Sequence, residues 1–277
     1  MTTMMESTDR MAEHGSPTES TSRLLELLRR VGREEPGTVG FGRPRQAAAR
    51  RGALALLAAL PAATEEYVTA AREAEADAVF VPLATGSGDN TANDGSLLPI
   101  CGIAGGKQRI TPADLDRWQA AGIDAVALQP RDALAACFSP RRQGLLALLD
   151  QHLPLDGLRA MAALTVDGFL LRDTEDAGRL TGDDLLWLTL AASLVRGPAL
   201  LLSSRVVAED LEALVAVGLA GITVAFGPAS SAAQVRTTLS ELHSAVAGLD
   251  PHLRERRRER SGLGPVLIPA SSPQGEQ

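Results

Sequence analysis

At 277 residues the chain suits one large domain or two small ones, and 45% hydrophobic against 22% charged residues fits a globular protein with a sizeable core. A net charge of −7 without a concentrated basic face excludes general affinity for nucleic acid, and no apolar segment is long enough to span a bilayer. The polar N-terminus lacks the apolar stretch of a secretory signal, so a cytoplasmic protein is expected.

Residues 1–20, rich in Ser, Thr, Glu and Met, are expected to be a disordered tail. The segment 22–33 then reads as an amphipathic helix, with Leu24, Leu25, Leu27, Leu28 and Val31 on one face and arginines opposite. It would pack against the body of the protein ahead of the first strand. A loop punctuated by Gly and Pro follows at 36–45; a solvated connector is the plain reading, and an anion cradle the alternative.

From Ala53 strand-length apolar runs alternate with helical patterns. Strands are expected at 53–60, 78–83, 99–104, 125–129, 145–149, 168–171, 199–202 and 222–226. Helices are expected at 64–76, 111–122, 155–164, 181–195, 208–217 and 231–246, with a short one at 132–138. The stretch 84–96 is too rich in Gly, Asn, Asp and Ser for a helix and reads as a loop. About eight strand–helix pairs are what a closed (β/α)8 TIM barrel requires. An open doubly wound sheet is the alternative, because the fourth and fifth strands are weakly marked. The organisation expected is therefore a tail over 1–20, the helix and Gly/Pro loop over 21–51, the barrel over 52–247, and an Arg-rich tail over 248–277. Within that last segment, five arginines between Arg254 and Arg260 read as a frayed, solvated helix end.

Chemistry in such a barrel sits at the C-terminal ends of the strands. Those ends supply Lys107, Asp150, Arg172 and Asp173 as candidate catalytic groups, the two aspartates as an acid–base pair working with Lys107 or Arg172. Structural ion pairing at the rim is the competing reading. Ser203, Ser204 and Arg205, with Gly227 and Ser230 ahead of the last helix, occupy the corner where many barrels hold phosphate; helix-capping serines are the alternative. Cys101 and Cys137 lie in apolar surroundings without metal-ligand spacing and read as buried small hydrophobes. His14, His152, His243 and His252 are scattered, so no metal site is expected, and no residue points to a cofactor.

The run 202–246, with Glu209-Asp210-Leu211 and Gly218-Leu219-Ala220-Gly221-Ile222-Thr223-Val224, resembles the last βαβα of indole-3-glycerol-phosphate synthase. The stretches 74–81 and 99–128 and the N-terminal helix are similar to that family's second to fourth strands and leading helix. The resemblance implies the barrel and does not carry the activity. The first strand here has no charged residue, and Cys101-Gly102-Ile103-Ala104 stands where the family has a catalytic lysine. Leu202-Ser203-Ser204 replaces its Glu-Ser-Gly, Ala225-Phe226 replaces its Gly-Glu or Gly-Ser, and Ser203 alone matches by position. Two functions stand side by side. One is a divergent lyase or isomerase binding a small anionic or phosphorylated metabolite. The other is a catalytically inactive barrel serving as a binding or assembly subunit. Neither involves nucleic acid or membrane, and a homo-oligomer is left open.

Overall fold

The computed structural model describes residues 22–31, 53–85, 98–105, 108–139, 144–151, 153–175, 177–195, 197–250 and 253. The N-terminal tail, most of the C-terminal one, the Gly/Pro loop, most of the 84–96 loop, Lys107 and His152 lie outside them.

Eight parallel strands close on themselves: β1 (Ala55–Ala59), β2 (Ala78–Ala84), β3 (Ile100–Gly105), β4 (Val126–Leu128), β5 (Leu145–Asp150), β6 (Gly168–Arg172), β7 (Ala199–Ser203) and β8 (Gly221–Ala225). The ladder from β1 to β8, with Ala55 opposite Gly221 and Ala59 opposite Ala225, makes this a (β/α)8 barrel and removes the open sheet from consideration. The helices are α1 (Arg23–Arg30), α2 (Glu65–Glu73), α3 (Pro112–Ala120), α4 (Leu155–Met161), α5 (Gly182–Leu194), α6 (Leu211–Val217) and α7 (Ala232–Ala247). The helix expected at 132–138 is instead two short 3-10 turns, Pro130–Asp132 and Ala135–Phe138, separated by extended Leu134 (φ −71°, ψ 147°).

Successive side chains on a strand point to opposite faces. Leu57, Phe80, Cys101, Leu148, Leu170 and Leu202 fill the barrel interior, whereas Leu56, Val79, Leu149, Leu171, Leu201 and Ile222 pack outward under the helices. Each fully buried Leu or Phe contributes about 1.5–3 kcal/mol. Space is tight where strands meet: a Cβ on Gly221 would lie 2.7 Å from the Ala55 carbonyl oxygen. Burial, then Asp124, pushes the Cys101 thiol well above its ordinary pKa, and Cys101 and Cys137 are both buried and free, as expected of small hydrophobes.

The bottom of the barrel is closed by α1. Its buried stripe of Leu24, Leu25 and Leu28, continued by Val31, joins the interior cluster, and Arg29 and Arg30 sit at its C-terminal end, where cations suit the helix dipole. An eight-residue helix is marginal alone and needs such packing. Its N-terminus is anchored by Asp124, just ahead of β4, which accepts from the Ser22 hydroxyl at 2.8 Å and from the Arg23 and Leu24 amides at 2.9 Å. Asp77 and Asp167 take equivalent places ahead of β2 and β6. Each binds the preceding strand twice, Asp77 at the Leu56 amide and carbonyl and Asp167 at the same groups of Leu145.

Candidate functional site

Alternation and register assign the inward positions near the C-terminal mouth. Asp150 pairs with Arg172, Pro82 with Ile103, and Ala59 with Ala225; Gln129 follows inward Ala127 by two residues, as Ser204 follows Leu202. The mouth is thereby split. Three contiguous strands, β4 to β6, present Gln129, Asp150 and Arg172, with exposed Ser204 just past the end of β7; the other four, β8 to β3, present Ala225, Ala59, Pro82 with Ala84 beyond it, and Ile103 with Gly105 beyond it.

The polar half is organised on Asp150. Its carboxylate accepts from Arg172 Nε at 2.8 Å and from Gln129 Nε2 at 2.9 and 3.1 Å. Arg131 Nε donates to Gln129 Oε1 at 3.0 Å, and its guanidinium lies 3.8 Å from both Asp150 and Asp132. Gln129 is buried, whereas the side chains of Asp150 and Arg172 are 29% and 38% exposed, so the pair is open to solute. Among the described residues, no acceptor is in reach of Nη1 of Arg172 or of Arg131.

Asp173 and Arg205 form a second, closed cluster. Arg205 grips Asp173 with two bonds, Nε to Oδ2 at 2.7 Å and Nη2 to Oδ1 at 2.8 Å, and both side chains are 2% exposed. It also reaches Glu175 at 3.1 Å, the Arg179 carbonyl at 3.0 Å and Asp184 at 3.2 Å. The hydrogen bonds of Asp173 raise the pKa of the guanidinium further, so it is a permanent cation. Burial alone would raise the Asp184 carboxyl, but the Thr181 amide, Gln151, the Thr181 hydroxyl and Arg205 together hold it below its ordinary value. Gln151 donates to Asp184, and its own Oε1 is buried without a partner among the described residues.

The candidates named from sequence therefore divide. Asp150 and Arg172 meet in the mouth; Asp173, one residue further along, points outward to Arg205, so the two aspartates do not form a pair. Ser203 also faces outward, where its hydroxyl donates to Asp173 at 2.6 Å and accepts from the Arg205 amide at 3.0 Å; both of its functions are used within the protein. Ser204 and Gly227 are exposed, and the Ser230 carbonyl accepts from the Tyr67 hydroxyl at 2.7 Å. Lys107 lies outside the described residues. Phe226 packs against the outer cluster, clear of the barrel interior. Gln129 and Arg131, strand-end residues that were not among the candidate catalytic or binding groups, complete the mouth. The strand period offered a signal for Gln129, whereas the position of Arg131 is set by the 3-10 turn after β4.

At the corner after β8, Ser231 caps α7 through the Gln234 amide, and Gln234 returns a bond to the Ser231 amide. A cleft of about 540 Å³ opens beside it on the outer wall, lined by Glu65, Glu66, Glu73, Ala232, Ala233 and Arg236. Arg236 is paired with Glu73 at 3.2 Å, and three carboxylates around the first turn of α7 disfavour an anion there. Among the described residues, no helix is long and apolar enough to cross a membrane.

No family model and no curated protein matches the sequence. The fold has clear counterparts. A substituted tryptophan synthase alpha-subunit from the hyperthermophile Pyrococcus furiosus matches with a TM-score of 0.54 at 14% identity, over 69% of this chain and 98% of that one. The tryptophan synthase complex of the same organism gives 0.53 at 14% identity, with the same coverage. Its thiamine phosphate pyrophosphorylase gives 0.50 at 17%, over 70% of this chain and 95% of that one. At these identities the likeness extends to the barrel and no further; membership of the indole-3-glycerol-phosphate synthase family is not established by it, and what this chain shares with these proteins is the (β/α)8 architecture.

Proposed function

We propose that the protein is a divergent lyase or isomerase that binds a small anionic metabolite at the C-terminal mouth of the barrel. The observation that carries the reading is the Asp150–Arg172 pair, placed on adjacent strand ends, facing inward and open to solute. Arg172 and Arg131 hold the anion through guanidinium edges that Asp150 leaves unoccupied. Asp150, oriented by Gln129 and Arg172, is the group in position to take or return a proton. Lys107, two residues beyond the end of β3, and Ser204, one residue beyond the end of β7, are assigned to the same ligand. The barrel likeness to two metabolic synthases supports this placement, because ligands in this architecture bind at the strand C-termini.

The test is calorimetric titration with carboxylate and phosphate metabolites against the wild type, Arg172→Gln and Asp150→Asn. Binding that Arg172→Gln weakens by about tenfold or more, with turnover lost in Asp150→Asn, supports the reading. Anion binding untouched by Arg172→Gln moves the ligand elsewhere. A second reading, an inactive barrel acting as an assembly subunit, is favoured by α5. Leu186 on that helix is 71% exposed and Leu190 39%, an apolar face on the outer wall.

A further inference from the structure

We infer that the ligand of the mouth is an anion with an apolar body, of the class of aryl or branched-chain monocarboxylates, and is not a polyhydroxylated sugar phosphate. The inference rests on the anion reading given above and deepens it. Its basis is the division of the inner face into two continuous halves. A sugar phosphate is polar over its whole surface and asks for donors and acceptors around the full circumference of a mouth. Here the inward positions on β8, β1, β2 and β3 are Ala225, Ala59, Pro82 with Ala84, and Ile103 with Gly105, none of which carries a side-chain donor or acceptor. A hydroxylated ligand placed against them would lose hydrogen bonds to water without replacement, at a cost of about 1–3 kcal/mol for each buried hydroxyl.

The shape agrees with the chemistry. Ala59 and Ala225 face each other across the β1–β8 ladder, so two of the smallest apolar side chains of the mouth adjoin. Ile103, on the far side of Pro82, is only half buried. An apolar group seated over the two alanines and against Ile103 would cover surface that is otherwise wet. The floor beneath is the interior of Leu57, Phe80, Leu170 and Leu202, apolar but for the buried hydroxyl of Thr223.

The head group is limited by charge. Among the described residues of the mouth, Arg131 and Arg172 are balanced by Asp150 and Asp132, so a dianionic phosphate brings twice the excess negative charge of a monocarboxylate. A planar carboxylate accepts from the open Nη1 edges with a single charge, the geometry that guanidinium groups match best.

The experiment is isothermal calorimetry on the full chain with phenylacetate, its neutral amide phenylacetamide, acetate, inorganic phosphate and glycerol phosphate. Phenylacetate is expected to bind at least about tenfold more tightly than acetate or glycerol phosphate, and phenylacetamide to bind more weakly than phenylacetate. Ala225→Leu, which fills the recess, is expected to weaken phenylacetate about tenfold and leave acetate unchanged; Arg172→Gln weakens every anion. Should Ala225→Leu not fold, Ile103→Asn at the half-exposed rim removes the same apolar contact. Glycerol phosphate or inorganic phosphate binding more tightly than phenylacetate, indifferent to Ala225→Leu and Ile103→Asn but weakened by Arg172→Gln, would overturn the apolar body and retain the anion site. Silence from every anion, or binding indifferent to Arg172→Gln, would overturn both.

Discussion

Arg172 and Asp173 are consecutive residues whose side chains leave the end of β6 on opposite faces. Arg172 turns into the barrel mouth against Asp150, and Asp173 turns outward into the grip of Arg205. One step along the backbone separates an ion pair open to solute from an ion pair sealed in the wall. The two pairs should therefore answer mutation in opposite ways.

Arg205→Ala leaves Asp173 and Asp184 buried without their cation, and a loss of about 3–5 kcal/mol of stability is expected. Arg172→Ala removes a side chain that is 38% exposed from a solvent-screened pair, and about 1 kcal/mol or less is expected. Urea unfolding of the two variants, followed by far-UV circular dichroism, measures the difference. Equal midpoints would show that the closed cluster is not a structural knot.

Asp114 and Asp184 occupy the same place in two helices, each closing a capping box with the threonine three residues before it. For Asp114, burial again pushes upward and is outweighed by the Thr111 hydroxyl and amide and by Arg117, leaving its carboxyl, like that of Asp184, below the ordinary value. A depressed carboxyl binds protons less readily in the folded chain than in the unfolded one. Its stabilisation is therefore complete above the unfolded value of about 3.9 and is lost as pH falls through the lower folded value. Unfolding free energies between neutral pH and about pH 2 should fall on that acid limb. In the double variant Asp114→Asn, Asp184→Asn the limb should be shallower, from a lower starting stability.

Asp124 holds the N-terminus of α1 with three accepted hydrogen bonds. Asp124→Ala is expected to cost about 1–2 kcal/mol and to release the helix before the barrel. Hydrogen exchange would read this directly, as faster exchange of the 24–31 amides while those of β6 and β7 keep their protection. Uniform acceleration throughout the molecule would mean that α1 and the barrel open as one unit.

Thr223 lies fully buried on the inward face of β8, and its hydroxyl has no partner among the described residues. Replacing it with valine, similar in shape, removes an unsatisfied polar group from an apolar interior. Thr223→Val is expected to stabilise the fold by about 1 kcal/mol, seen as a higher melting temperature, with ligand binding at the mouth unchanged. A lower melting temperature would point to a bond that the hydroxyl makes in solution.

The barrel was legible because each strand is a short apolar run followed by a helical pattern, and runs such as 145–149 and 199–202 differ from the observed strands by a residue or so. Closure followed from the count of about eight strand–helix pairs, although the contact that makes it, Ala55–Ala59 against Gly221–Ala225, is one no local pattern announces. The site was half legible. Strand ends supplied the right residue types, but Asp173 and Ser203 were grouped with Asp150 and Ser204 on position alone, although the two-residue period of a strand separates their faces. The locking of Asp173 by Arg205 joins residues 32 apart and is visible only in three dimensions. The same period turns the Phe226 ring to the outer face, clear of the barrel interior.

The aspartates ahead of β2 and β6 have a consequence for how the sheet is indexed. Asp77 and Leu56, like Asp167 and Leu145, exchange a backbone bond in one direction and a carboxylate bond in the other, so each couple works as a two-pronged key between an odd strand and the even one that follows. A slip of one residue would break both prongs at once. Ahead of β4 the key is turned aside, since Asp124 spends its carboxylate on α1; ahead of β8 it is missing, since Ala220 fills the place and keeps only the backbone prong, to Ala199. Two of the four odd-to-even joints are thus keyed by side chains. The other two, β3 to β4 and β7 to β8, take their alignment from the ladder and from the packing on either side of it.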